Sequence, residues 1–429
     1  MKKTSQLFNN EFLQGGFYYF LSSLFINLLN YLFNFLVGRG LGPINYGEIS
    51  SLFAYAYIAL VPTQVFSAYV IKKIGSSTVD QLNYVKSLEY SFKKKFGKFL
   101  LLFLLLFLTT PLVSAFTNLR IISILIMLII ILVGYLGSFY SGALQALRYF
   151  FVFSLLGLIA TFIKFMGGLA IFLGVPSLLL VYFFLLISAL FMFLSNYYYL
   201  KFKLSRLLKD KIEINSRPVI NVLKNRQFQI LFLSTLSLTL LNNADLVFVK
   251  KTLSGYESGI YASWSLFAKI ILYAIGPMLA ISFVFFSAKS QTNKHALTLK
   301  ISFFALTVIF ISAYFIYTYF SETLINIFFG SKFLAVLPYL SYASIFGSLY
   351  AGLIYLNSYF LAKEDSLALV IPILTPLYLL ALFFIKKNIL GIIQLNISFS
   401  FLVLLVYLTF YLKEKLYSYF KPFQRPFSV

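Results

Sequence analysis

Cysteine is absent from the 429 residues, and histidine occurs once, at His295. No disulfide framework or thiolate metal site can therefore form, and a histidine metal cluster is excluded with them. Acid is scarce too, with 12 Asp+Glu against 35 Lys+Arg. Charged residues of both signs make up 11% of the chain, where a soluble domain carries about 25%. Such a chain has too few charges for a water-facing surface and is too apolar for a nucleic-acid binder despite its net charge of +23.

What is present is hydrocarbon: 61% of the residues are hydrophobic, 52 of them Phe and 32 Tyr. Long apolar runs recur from end to end. A membrane span needs about 20 mostly apolar residues, and twelve such segments fit: 17–37, 47–70, 99–117, 121–146, 150–173, 177–200, 228–249, 259–286, 298–320, 339–362, 367–385 and 390–412. The fold class is all-α membrane protein, with about 12 transmembrane helices. The basic N-terminus, MKKTSQLFNNEF, reads as a cytoplasmic tail leading into a retained first span.

Sorting the cations by position orients the chain. With both termini cytoplasmic, 26 of the 35 fall in cytoplasmic segments (Lys300, at the edge of its span, counted among them), seven in external loops, and two, Lys164 and Lys269, deep inside spans. Lys and Arg collect on the cytoplasmic side of membrane proteins, so the bias is a strong orientation signal. The basic stretch 201–227, with Pro218, divides the chain into six spans and six, residues 1–210 and 211–429.

The halves resemble each other. A shift of 212 residues places Asn27 on Thr239, Asn30 on Asn242, Arg39 on Lys251, Gly47 on Gly259 and Ser51 on Ser263. The first span of each half thus carries a polar stripe on one helical face. The next span holds a proline in each half, Pro62 and Pro277. Parallel repeats of this kind are one transporter architecture, with Pro/Gly-interrupted segments pointing to the site.

Residues 30–55, NYLFNFLVGRGLGPINYGEISSLFAY, contain R-x-L-G-P-x-x-Y-G and resemble the opening of the polysaccharide-unit flippases. Residues 242–278, NNADLVFVKKTLSGYESGIYASWSLFAKIILYAIGPM, resemble the start of their second half. These flippases belong to the multidrug/oligosaccharidyl-lipid/polysaccharide exporter superfamily. The resemblance implies two six-helix lobes around a central cavity, no enzymatic activity and no cofactor. It implies movement of undecaprenyl-diphosphate-linked O-antigen or related repeat units to the outer leaflet of the cell membrane by alternating access. It also implies an ion gradient as the driving force, and membrane lipids and other polysaccharide-assembly proteins as partners.

A diphosphate crossing hydrocarbon needs cations, and sugars need neutral hydrogen-bonding groups. Lys164 sits mid-span, where a charge costs on the order of 3 kcal/mol on insertion scales, so it should face a cavity or a partner. Ser154, Gly157, Thr161 and Gly168 share its helical face. Lys269 is the second such cation. Asp245, near a span end, is the candidate ion-coupling acid and a potential partner for either lysine. Asn27, Asn30, Asn34 and Asn242 are candidate sugar ligands, or amides that glue helices together. Arg39 could meet lipid headgroups on the outside, and Arg148 could capture a diphosphate at the cytoplasmic mouth.

Two rival classes are weighed. A membrane glycan polymerase would need a large external loop with catalytic residues, whereas the longest external segment here, 321–338, has about 18 residues. A drug/cation antiporter would carry more embedded acids than bases, the reverse of one candidate acid against two lysines. A lipid-linked peptidoglycan-precursor flippase fits the charge equally well, but extra spans and more cavity arginine would be expected.

Overall fold

The computed structural model describes residues 11–77, 81–207, 225–276, 278, 282, 292–363 and 365–420. The expected boundary at 210/211, together with Pro218 and Pro277, lies outside them. The helices in chain order are α1 (Glu11–Ala59), α2 (Val61–Gly75), α3 (Gln81–Leu108), α4 (Thr110–Thr117), α5 (Ile121–Ala146), α6 (Phe150–Phe172) and α7 (Leu178–Leu207). After them come α8 (Arg226–Thr252), α9 (Gly255–Ala274), α10 (Thr292–Tyr319), α11 (Ser321–Phe328), α12 (Leu340–Ala362), α13 (Val370–Phe384) and α14 (Ile389–Phe420). Two 3₁₀ turns precede α12 and α13, and no strand occurs among the described residues.

Among the described residues, nine helical stretches are long and apolar enough to cross a membrane. The difference from twelve has local causes. The first two expected spans run together in Leu21–Ala59. The third is split between α3 and α4, and the eighth is described continuously only as far as Gly276. With its scarcity of charge, the chain is a multi-pass helical membrane protein. Exposed Leu105, Leu108, Leu112, Phe304, Phe383 and Phe384 belong in hydrocarbon, since apolar patches of that extent are rare on proteins in water.

The nine residues expected as an external loop at 38–46 instead form a kink within α1. Gly42 has φ 73° and ψ 176°, a region open essentially to glycine, and Pro43 then removes a donor from the ladder. Prolines also break the next two spans. Pro62 follows the break at Leu60, and Pro111 follows the one at Thr109. Hydroxyls bond carbonyls at both breaks: Thr63 Oγ1 donates to Leu60 O (2.6 Å), which also accepts Thr63 N (3.0 Å), and Thr110 Oγ1 donates to Phe107 O (2.7 Å), the carbonyl that Pro111 frees. In hydrocarbon a freed backbone group needs such a partner.

The described chain forms two units. The first takes the residues up to Phe232 together with Leu246–Ser263 and Ile325–Ala335. In it α1 packs along α6, α2 along α5, and α7 against both α5 and α6. Two positions matched by the 212-residue shift meet here. A β-carbon on Gly47 would fall 2.7 Å from the Gly259 nitrogen, and one on Gly259 would collide with the Pro43 carbonyl. Equivalent glycines of the two halves therefore sit backbone to backbone, a contact that only the missing β-carbons permit. Ser51 Oγ, another repeat position, donates to Leu246 O (3.3 Å).

The segment 321–338, expected as a loop, holds α11 and a 3₁₀ turn. Its Phe328 stacks on Phe35 (centroids 4.3 Å apart) and its Phe329 meets Tyr46 edge-on (5.4 Å). The second unit comprises Leu233–Asp245, Trp264–Leu324 and the residues from Val336. In it α12 packs against α10 and α14, and Tyr350 OH donates to Leu238 O (2.6 Å).

Candidate functional site

In the first unit the small-polar face of α6 is turned toward α1. A β-carbon on Gly157 would lie 3.4 Å from Ile26, and one on Gly168 would lie 3.1 Å from Phe33. Much of that face therefore serves close helix packing. Lys164, eight residues before the end of α6 and hence about 12 Å from it, stands in the middle of this contact. Its Nζ donates to Asn30 Oδ1 (2.8 Å) and lies over the rings of Phe33 (4.6 Å) and Phe53 (5.0 Å). Asn34 Nδ2 donates to Asn30 O (2.7 Å), which steadies the same turn of α1.

No carboxylate forms an ion pair with Lys164 among the described residues. One charged hydrogen bond, at about 1.5–3 kcal/mol, and two aromatic faces at about 0.5–2 kcal/mol each cover its mid-membrane cost. The charge itself stays uncompensated. An ammonium has three protons and Asn30 takes one, so the half-buried Lys164 retains capacity for an anion.

In the second unit Lys269 of α9 donates to Asn243 Oδ1 (3.1 Å), and Asn243 Nδ2 donates to Thr239 O (2.9 Å). The amide expected here was Asn242. The structure puts its neighbour Asn243 in contact, while Asn242 is half-buried nearby. Asp245 is fully buried rather than reaching the outer surface. It accepts from Asn396 Nδ2 (2.8 Å), whose Oδ1 accepts from Tyr378 OH (2.8 Å), and it exerts an electrostatic attraction on Lys269. Asn396 and Tyr378 gave no signal in the sequence beyond being polar groups in apolar runs.

The remaining candidates stand apart. Asn27 is half-buried one turn before Asn30. Arg39 is exposed. Its Nη1 donates to Ile327 O (2.8 Å) and Asn326 O (3.5 Å), the last carbonyls of α11. Arg148 is an exposed turn residue with φ 64°, a full helix away from Lys164.

Two charged clusters in the first unit went unread. Glu48, buried, accepts from Ser123 Oγ (2.7 Å) and pairs with Arg120 (3.3 Å). Glu89, buried in the basic segment ahead of the third span, bonds Lys201 (2.9 Å), Lys93 (3.0 Å) and Tyr140 OH (3.2 Å). Burial alone would raise its pKa. The two lysines outweigh burial and hold the carboxyl below the usual range.

No family model and no curated protein matches the sequence. Solved structures do. One described as "Lipid II flippase MurJ, inward closed conformation" aligns with TM-score 0.66 and 15% identity over 92% of this chain and 87% of that one. An inward-facing multidrug resistance MATE family transporter of the MOP superfamily gives 0.61 and 13%, over 90% and 94%. A MOP superfamily transporter from Pyrococcus furiosus Vc1, described with the words "Reverse polarity of binding pocket suggests different function", gives 0.57 and 13%, over 92% and 95%. This chain has the fold of the MOP-superfamily transporters.

Proposed function

We propose that this protein is a flippase for undecaprenyl-diphosphate-linked oligosaccharide repeat units, of O-antigen or a related polysaccharide, moving them from the cytoplasmic to the outer leaflet by alternating access. The observation that carries the reading is Lys164. It is a mid-membrane ammonium held by an amide and two phenyl faces, with no acid bonded to it among the described residues. A cation kept uncompensated in hydrocarbon is expensive and suits an anionic passenger such as a diphosphate. A solved relative of the fold that is itself described as a lipid flippase supports the class. In this reading Asn30 and Asn34 orient the lysine, and Asn27 extends the amide face toward the sugar. The excess of cations on one side makes that side cytoplasmic, so both termini are cytoplasmic in a cell membrane.

For the driving ion we propose Asp245. A fully buried carboxylate with an amide partner and an electrostatically coupled lysine can exchange a proton or cation as its surroundings change. A drug antiporter of the same superfamily would need an acid where Lys164 stands.

The test is reconstitution of the full chain in vesicles with a fluorescently tagged undecaprenyl-diphosphate-linked oligosaccharide. Flipping is expected with the native protein and is expected to be lost with Lys164→Ala. Native rates from a Lys164→Ala/Lys269→Ala double variant would overturn the reading. Undiminished gradient dependence in Asp245→Asn would remove the ion role alone.

A further inference from the structure

Inside the first unit, between α2, α5 and α7, lies a cavity of about 590 Å³, within the 300–1,000 Å³ range of small-molecule sites. It shares no residue with the Lys164 site. Its polar lining comes from Thr63, Gln64, Ser67, Ser138, Ser141 and Gln145, and no Lys, Arg, Asp or Glu contributes. Gly137 leaves the α5 wall open, since a β-carbon there would meet nothing nearer than Phe193 at 3.8 Å, whereas Gly134 packs tightly on Leu60.

The hydrogen bonds give this lining a direction. Thr63 Oγ1 donates to Leu60 O, Ser67 Oγ to Ser138 O (2.8 Å), and Ser138 Oγ to Tyr135 O (2.6 Å). Gln145 Nε2 donates to Ser141 O (3.2 Å), and Ser141 Oγ accepts from Asn196 Nδ2 (3.1 Å). The Thr63, Ser67 and Ser138 hydroxyls have each spent their one proton on a backbone carbonyl and keep their lone pairs, and the Gln145 amide likewise keeps its oxygen, while Gln64 and Ser141 add donors. The cavity therefore offers acceptors in excess of donors, with no fixed charge. An anion would meet lone pairs and a cation would find no carboxylate. A neutral molecule rich in hydroxyl donors finds its complement here.

A second cavity, of about 430 Å³, shares Ser138 with it and is walled mainly by Phe66, Phe92, Phe96, Phe99 and Phe232, with Lys95 and Tyr135 also lining it. It is the more aromatic of the two and, unlike the first, carries a cation.

We infer that the cavity bounded by Thr63, Ser67, Ser138 and Gln145 is a binding subsite for a neutral glycan, apart from the lysine that meets the diphosphate. The inference rests on the flippase reading only in taking the polyol to be the sugar of a lipid carrier. The acceptor geometry holds without it. Gln145 lies at the end of α5 next to the turn that the charge bias makes cytoplasmic, so the subsite loads from the side where the substrate is assembled.

The test uses the full chain in a sugar-free detergent and two probes: an octyl-linked neutral trisaccharide and farnesyl diphosphate. Trisaccharide binding should weaken at least about tenfold, or 1.4 kcal/mol, in Thr63→Val/Gln145→Leu, while farnesyl diphosphate binding stays native. Gly137→Ala, which the fold has room for, should weaken the trisaccharide alone and guards against misfolding in the double variant. Lys164→Ala should do the converse. Native trisaccharide affinity in both cavity variants, or no trisaccharide binding by the native chain, overturns the subsite. Loss of trisaccharide binding there, with farnesyl diphosphate indifferent to Lys164, keeps the subsite and overturns the diphosphate reading instead.

Discussion

Lys164 and Lys269 stand half-buried within apolar helices, and their surroundings differ. Lys164 has an amide oxygen and two phenyl faces. Lys269 has an amide oxygen and the field of Asp245, which is itself held by Asn396 and Tyr378. Both bury a cation, but only the second has opposite charge close by. A cation in the field of a buried carboxylate has less net attraction for a third charge, and removing it is costly because it strands the acid. An ammonium steadied by aromatic faces keeps its charge available. The comparison separates a lysine whose charge is open to an anion from one set beside a buried carboxylate.

The sharpest way to break the comparison is to remove Lys269. Lys269→Ala leaves Asp245 buried without its cation and should destabilise the protein by about 3–5 kcal/mol, the usual cost of breaking a buried pair. Thermal unfolding in detergent measures this, and adding Asp245→Asn should restore most of the loss. If Lys269→Ala melts like the native chain, the two lysines are alike and the distinction falls.

Lys164→Ala should do the opposite. It deletes a charge that was expensive to bury, so stability should change by no more than about 2 kcal/mol, roughly the difference between its insertion cost and its contacts. On the proposed reading flipping should fall at least tenfold, because a diphosphate would lose an uncompensated cation; tenfold corresponds to about 1.4 kcal/mol. Lys164→Arg should recover part of the rate. Large destabilisation with residual flipping would make Lys164 structural.

The depressed pKa of Glu89 gives a pH test that spares both lysines. A carboxyl held below its unfolded value stabilises the fold above the unfolded pKa. That contribution fades as pH falls through the folded value. Native unfolding temperature should therefore drop between about pH 5 and pH 3, near and below the ordinary carboxylate range, and Glu89→Gln should flatten this part of the profile. Because Lys93 and Lys201 are well exposed, the gain is screened and should stay near 1 kcal/mol.

The helices were legible because hydrocarbon forces the issue: about 20 apolar residues can be satisfied only as a helix. The spans at 121–146, 150–173 and 339–362 agree with α5, α6 and α12 to within a residue or two. The kink at Gly42 was not legible, since a Gly-Pro step reads equally as a loop. Within the site, the two buried lysines stood out by their cost, and Asn30 by its place on a helical face. The choice of Asn243 over Asn242 was hidden, because adjacent helix positions differ by about 100° in direction and only packing decides which one turns inward. The hydroxyl-lined cavity was harder still. Thr63 and Ser67 sit in one apolar run and Ser138, Ser141 and Gln145 in another, and only the fold brings the two helical faces together.

Arg39 gives the smallest and most instructive effect. It belongs to R-x-L-G-P-x-x-Y-G, the segment most recognisable in the sequence, and a cation there invites a substrate role. The structure instead ties its guanidinium to the carbonyls of Asn326 and Ile327 at the end of α11, where a cation also offsets the negative end of the helix dipole. α11 anchors to the same part of α1 through Phe35 and Phe328. Arg39→Ala should therefore cost about 0.3–1 kcal/mol of stability, seen as a small fall in unfolding temperature. Flipping and farnesyl diphosphate binding should stay native, and Arg39→Lys, which keeps the charge at the helix end, should recover part of the loss. If Arg39→Ala lowered diphosphate binding as Lys164→Ala does, the motif cation would join the site, and the uncompensated charge of Lys164 would no longer be enough to explain anion selectivity.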